Sequence, residues 1–136
     1  MDIRTLSPDF AVAPQITVED VATLADQGFT HVICNRPAFE SAPEDGPDAI
    51  KAAAQDAGLG WTENPLISGQ LTLEHVEAQK VSGKVLAYCA SGTRSAMLWA
   101  LSQAGEMETD AIMDALEKAG YPLGGLRGQI EMLAQR

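Results

Sequence analysis

Cysteine is scarce in this chain of 136 residues: there are two, Cys34 and Cys89. Two cysteines cannot build a disulfide scaffold or a four-thiolate zinc site. Histidine is as scarce, and His31 and His75 lie far apart, without the close spacing of a metal-binding pair. No ligand cluster is evident, so neither a metal nor a cofactor is expected. Basic residues are few: nine Lys and Arg stand against 19 Asp and Glu, a formal net charge of −10. That charge repels nucleic acid and anionic membrane at long range. The bases and the two tryptophans form no basic, aromatic stripe. No apolar run approaches the ~20 residues that a spanning helix needs. Met1-Asp2-Ile3-Arg4-Thr5 lacks the basic-then-apolar pattern of a signal peptide. The expectation is a cytoplasmic protein with neither nucleic-acid nor membrane partners.

What the chain does have is ordinary globular composition, 46% hydrophobic and 21% charged. Its length suits one domain over residues 1–136. Residues 4–6 and 10–12 read as short strands around a Ser7-Pro8-Asp9 turn. Thr17 caps a helix whose apolar stripe runs through Val18, Val21 and Leu24 and which Gly28 closes. Residues 30–34 form a buried strand, 40–47 an acidic surface loop, and 48–57 an alanine-rich helix. Residues 61–67 read as a strand interrupted by Pro65. Thr72 caps a helix to about Lys80, and residues 84–88 are the clearest buried strand. Helices follow over 95–104, 110–119 (with Thr109 as cap) and 126–135. Alternating strands and helices predict a three-layer α/β/α domain with a mainly parallel sheet. Ligands in such sheets sit beyond the carboxyl ends of the strands.

The segment with chemistry in it is Cys89-Ala90-Ser91-Gly92-Thr93-Arg94-Ser95. A buried strand ends in a cysteine, four residues follow, then an arginine and a helix start. The backbone N–H groups of residues 90–95 can curl into a nest that points at an anion. The helix beginning near Ser95 adds its positive end. Gly92 permits the positive φ of the curl, and Arg94 can clamp two oxygens in a fork. In that field the thiolate of Cys89 is favoured over the thiol, making it a candidate nucleophile. Ser95 can hydrogen-bond the Cys89 sulfur. Arg36, at the end of a neighbouring strand, can approach the anion from the side. Cys34 could pair with Cys89 as a redox latch or serve simply as core. Tyr88 should point away into the core. Met97, Leu98, Trp99 and Leu101 should form the buried face of the following helix. His31 and His75 are expected to be structural. Arg127 could reach the site or cap the chain end.

The loop resembles two cysteine-dependent groups. Tyrosine and dual-specificity phosphatases carry Cys, five residues, then Arg, with His before the Cys; single-domain rhodaneses often have a gap of four. Here the gap is four and Tyr88 precedes the cysteine. Further stretches, Ile3-Arg4-Thr5-Leu6, Val12-Ala13-Pro14-Gln15-Ile16, Asn35-Arg36-Pro37 and Ala119-Gly120-Tyr121, resemble the phosphatase-like domain of the β-lactamase-hydrolase-like proteins. That resemblance implies a dual-specificity-phosphatase-like fold. It also implies a setting of bacterial sulfide oxidation, with a separate persulfide dioxygenase as a possible partner.

A phosphatase needs a general acid for the leaving alkoxide. Aligned on Pro65, that position holds Ser68; Glu40, Glu44 or Asp45 in the acidic loop would have to substitute. Sulfur transfer needs no such acid, because sulfite or a thiolate leaves as a stable anion. The expectation is therefore a rhodanese-type sulfurtransferase acting on a small anion such as thiosulfate or a persulfide. A phosphatase acting on a phosphate ester through phosphocysteine is the alternative, and a non-catalytic anion-binding or partner-binding module is the third.

Overall fold

A computed structural model describes residues 1–135. Five strands form one sheet: β1 (Arg4–Ser7), β2 (Phe10–Ala13), β3 (His31–Cys34), β4 (Gly60–Glu63) and β5 (Val85–Tyr88). Their spatial order is β1-β2-β5-β3-β4. β1 meets β2 antiparallel through the Ser7-Pro8-Asp9 turn, and every other pairing is parallel. The helices are α1 (Val18–Asp26), α2 (Pro47–Asp56), α3 (Leu73–Ala78), α4 (Thr93–Ser102), α5 (Thr109–Lys118) and α6 (Arg127–Ala134).

Strand alternation sorts the core into two halves. Phe10, Val12, Ile33, Val85 and Ala87 face a cluster with Leu98, Trp99 and Ile112 from α4 and α5. Ala11, Ala13, Val32, Cys34, Leu86 and Tyr88 face the other side, against Val21 and Leu24 of α1 and Ile50 and Ala54 of α2. The sheet thus lies between two helical layers, the expected three-layer α/β/α arrangement. β5 is central and buried on both faces, which is why it reads as an unbroken apolar run.

Several boundaries differ from the sequence expectation. The strand expected over 61–67 stops at Glu63. The Asn64 N–H still reaches the Cys34 carbonyl, but its side chain turns inward and Pro65 has no N–H to continue the ladder. The acidic loop is not irregular throughout; it holds two short 3₁₀ turns, Ala38–Glu40 and Pro43–Asp45. Helix α4 begins at Thr93 rather than Ser95, because Gly92 in the left-handed region (φ 91°) serves as its N-cap. Thr109 is the first residue of α5, not its cap. The parallel strands all point their carboxyl ends to one edge, and residues 14–15, 35–36, 64–66 and 89–94 gather there.

Candidate active site

Cys89 follows β5 and is fully buried, while Ala90, Ser91 and Thr93 form an exposed rim above it. The loop is fastened to the end of β2: the Cys89 N–H donates to the Ala13 carbonyl (3.4 Å) and the Gln15 N–H to the Ala90 carbonyl (3.4 Å). The chain then curls so that the Gly92 N–H donates to the Cys89 sulfur at 3.1 Å. That donor stabilises negative charge on the sulfur, which lies at the positive end of α4; the next N–H, of Thr93, is taken by the Ser91 hydroxyl at 3.4 Å. Gly92 is required twice over. Its φ is positive, and a Cβ there would run into the hydroxyl of Tyr121. Ser91 and Thr93 tie the rim together, hydroxyl to hydroxyl, at 3.0 Å.

Arg94 does fold back, and it is held from two sides. Nη1 donates to the Leu66 carbonyl (2.8 Å) and to Glu40 Oε2 (2.9 Å); Nη2 donates to Glu40 Oε1 (2.7 Å). This bidentate carboxylate pair holds the Glu40 carboxyl below the usual carboxylate range and raises Arg94. Glu40 also lies 3.5 Å from Arg36 Nε. Arg36 itself donates to Gln15 Oε1 at 3.0 Å, so it braces the acidic loop against β2 rather than standing free. Because Glu40 is depressed, its pair with Arg94 adds stability above the unfolded carboxyl value of about 4.3. That contribution is lost as pH falls through the lower folded value. Glu40→Gln should therefore be less stable than wild type at neutral pH, and the two melting curves should converge in acid. The difference will be modest, since the pair is partly exposed.

Three expectations are corrected. The Ser95 hydroxyl does not point at the Cys89 sulfur; it donates to Asn35 Oδ1 at 2.8 Å, because a helix start two residues earlier turns Ser95 inward. Asp45 faces the N-terminus of α1, where its carboxylate accepts from the Val18 N–H (3.4 Å), and does not reach the loop. Arg127 is likewise away from the site, paired with Asp110 at 2.8 Å. Ser68 lies exposed just beyond Leu66, on the segment that holds Arg94. Cys34 is unbonded, as is Cys89. Burial pushes the Cys34 thiol up, and its sulfur donates to the Arg36 carbonyl at 3.3 Å. His75 is structural as expected: its ring caps α3 through the Thr72 N–H (3.1 Å) and bonds the Pro65 carbonyl (3.0 Å).

Sequence reasoning missed the buried amide cluster under the loop. Asn35, Asn64, Gln79 and Ser95 are all buried polar residues. Asn35 donates to the Asn64 carbonyl and to Gln79 Oε1 (both 2.9 Å), and Gln79 returns a bond to Asn35 Oδ1 (2.8 Å). Asn64 adds bonds to Gln79 Oε1 and the His75 carbonyl. This cluster locks the ends of β3 and β4 to α3 and to the first turn of α4. Asn35→Leu leaves Ser95, Gln79 and the Asn64 carbonyl short of partners. At ~1–3 kcal/mol per stranded group, it should lower unfolding stability by at least ~2 kcal/mol in urea titration.

Among the described residues no group of three or more His, Cys, Asp or Glu could hold a metal, and no helix is long and apolar enough to cross a membrane. A sequence model of the β-lactamase hydrolase-like protein, phosphatase-like domain, matches residues 2–106. A β-lactamase hydrolase-like protein of Xylella fastidiosa is 32% identical over 131 residues, covering 91% of this chain but 30% of that protein. This chain therefore spans about a third of the curated relatives it matches. A solved candidate phosphatase of Neisseria meningitidis is 30% identical with a TM-score of 0.81, covering 98% of this chain and 99% of that one. A second, from Shewanella putrefaciens, shares the fold at 19% identity and a TM-score of 0.72, over 96% and 91% of the two chains.

A cysteine at the end of the central strand, under a curled loop and a returning arginine, is the arrangement of a cysteine-dependent, phosphatase-like enzyme. The chain belongs to the phosphatase-like domain family of the β-lactamase hydrolase-like proteins.

Proposed function

We propose that the protein is a sulfurtransferase in which Cys89 carries sulfane sulfur. The Cys89 thiolate attacks the outer sulfur of thiosulfate or of a small persulfide. The new bond joins Cys89 to that sulfur, the old S–S bond breaks, and sulfite or a thiolate leaves with the electron pair. The terminal sulfur of the persulfide is then an anion in the field of the loop N–H groups and α4. A second thiolate, or cyanide, takes the sulfur and returns Cys89 as thiolate, so atoms and charge balance. A separate persulfide dioxygenase is the kind of partner that would consume an organic persulfide formed this way.

The observation that carries this reading is the state of the acids. Aligned on Pro65, the sequence offers Ser68, not a carboxylic acid, where a phosphatase needs its general acid. The carboxylate that does reach the loop, Glu40, is bound in both oxygens by Arg94 and held ionised. A carboxylate whose charged form is favoured in this way is a poor proton donor to a leaving alkoxide. The second reading is phosphate-ester hydrolysis through phosphocysteine, and the relatives weigh towards it: the two solved structures named above are described as candidate phosphatases.

Turnover separates the two. Sulfur transfer from thiosulfate to cyanide should exceed hydrolysis of an alkyl phosphate by roughly 10²-fold or more in kcat/KM, since without an acid the basic alkoxide has to leave unprotonated, a loss of 10²–10⁴. The reverse ratio establishes the phosphatase. Neither activity, with retained anion affinity, leaves the binding module.

A further inference from the structure

Beside the Arg94 clamp lies a cavity of about 310 Å³ that the transfer chemistry does not use. It is lined by Cys34, Arg36, Pro37, Phe39, Pro65 and Ile67 among others. Its surface is chiefly apolar, and two of the chain's few exposed large hydrophobic residues flank it: Phe39 is 76% exposed and Ile67 40%. Pro65 and Ile67 enclose Leu66, whose carbonyl holds Arg94. Arg36 reaches Glu40, which holds the same arginine. One slot wall and the anion clamp are thus built on a single run of backbone, and the other is joined to the clamp by an ion pair.

We infer that this slot is a specificity subsite that receives a compact apolar body, an aryl group or a branched alkyl, of an organic sulfane donor whose anionic head meets the Cys89 loop. Three features select that occupant. The prolines fix φ and preform the slot, so little ordering is needed on binding. Its volume is at the lower end for small-molecule sites, enough for a ring and not for a folded partner. Glu63 also lines the slot and disfavours a second negative charge there, which keeps the body neutral. The inference rests on the sulfur-transfer reading and names its donor class.

For an aryl thiosulfonate the step is the one described above: the Cys89 thiolate takes the outer sulfur, and an aryl sulfinate leaves with the electron pair. The test compares benzenethiosulfonate, methanethiosulfonate and thiosulfate as donors to cyanide, in wild type and in Phe39→Ser/Ile67→Ser. Both residues are exposed, so the substitutions spare the core. Wild type should favour the phenyl over the methyl donor by roughly tenfold or more in kcat/KM, the scale on which an apolar pocket discriminates. In the double variant the two donors should come within about twofold of each other. Equal use of the two thiosulfonates by wild type, or an aryl preference that survives in the variant, overturns the subsite while leaving sulfur transfer standing. Failure of all three donors to place sulfur on Cys89 overturns both.

Discussion

Cys89→Ser is expected to abolish turnover, by roughly 10⁴-fold or more, while the protein melts close to wild type. The serine oxygen fits the same buried position and still accepts the Gly92 N–H that now reaches the sulfur at 3.1 Å. The loop's fastening to Ala13 and Gln15 runs through backbone groups and is unchanged. What disappears is the sulfur, and with it the attacking atom. Circular dichroism and thermal melting establish that the fold survives. Turnover with thiosulfate and with aryl phosphate then reports chemistry alone. Residual activity within tenfold of wild type would remove Cys89 from the reaction whichever substrate is used.

Arg94→Lys is the second large effect. An ammonium keeps the charge but cannot hold both Glu40 oxygens and the Leu66 carbonyl in one plane. A loss of roughly 10²–10³ in kcat/KM is expected, the size found when a preorganised donor to a developing anion is removed. Glu40→Gln should lose less, about tenfold, because Arg94 keeps its bond to Leu66 and its fork. The double variant should cost little more than Arg94→Lys alone, since both residues act through one clamp. Simple addition of the two losses would show that Glu40 acts independently of Arg94, contrary to the geometry.

Much of this site was legible in the sequence, and the reason is local. Val85–Tyr88, the gap of four, Gly92 and Arg94 are consecutive, and strand, curl and helix start are short-range events. The two-sided burial of β5 and the helix stripes follow from periodicity in the same way. The misreadings share the opposite property. Glu40 meets Arg94 across 54 positions and Ser95 meets Asn35 across 60. Asn35, Asn64 and Gln79 carry no local pattern that marks an amide as buried, and their pairing exists only once β3, β4 and α3 are assembled. As a loop carboxylate Asp45 has many possible neighbours in the sequence; the fold brings it to the first N–H of α1. Thr93 and Arg94 carry no helix-start signal of their own, so the sequence alone puts the start of α4 at Ser95. Only the left-handed Gly92 reveals that the helix begins at once.

Sulfur transfer through Cys89 is tested most directly by intact-mass measurement after brief exposure of the reduced protein to thiosulfate, wild type beside Cys89→Ser. A persulfide on Cys89 predicts a gain of one sulfur, about 32 Da, on wild type alone, reversed by cyanide. An unmodified wild-type protein whose Cys89 is reduced and still alkylated by iodoacetamide would contradict it, and a phosphoenzyme trap with aryl phosphate would then separate phosphate-ester hydrolysis from anion binding alone.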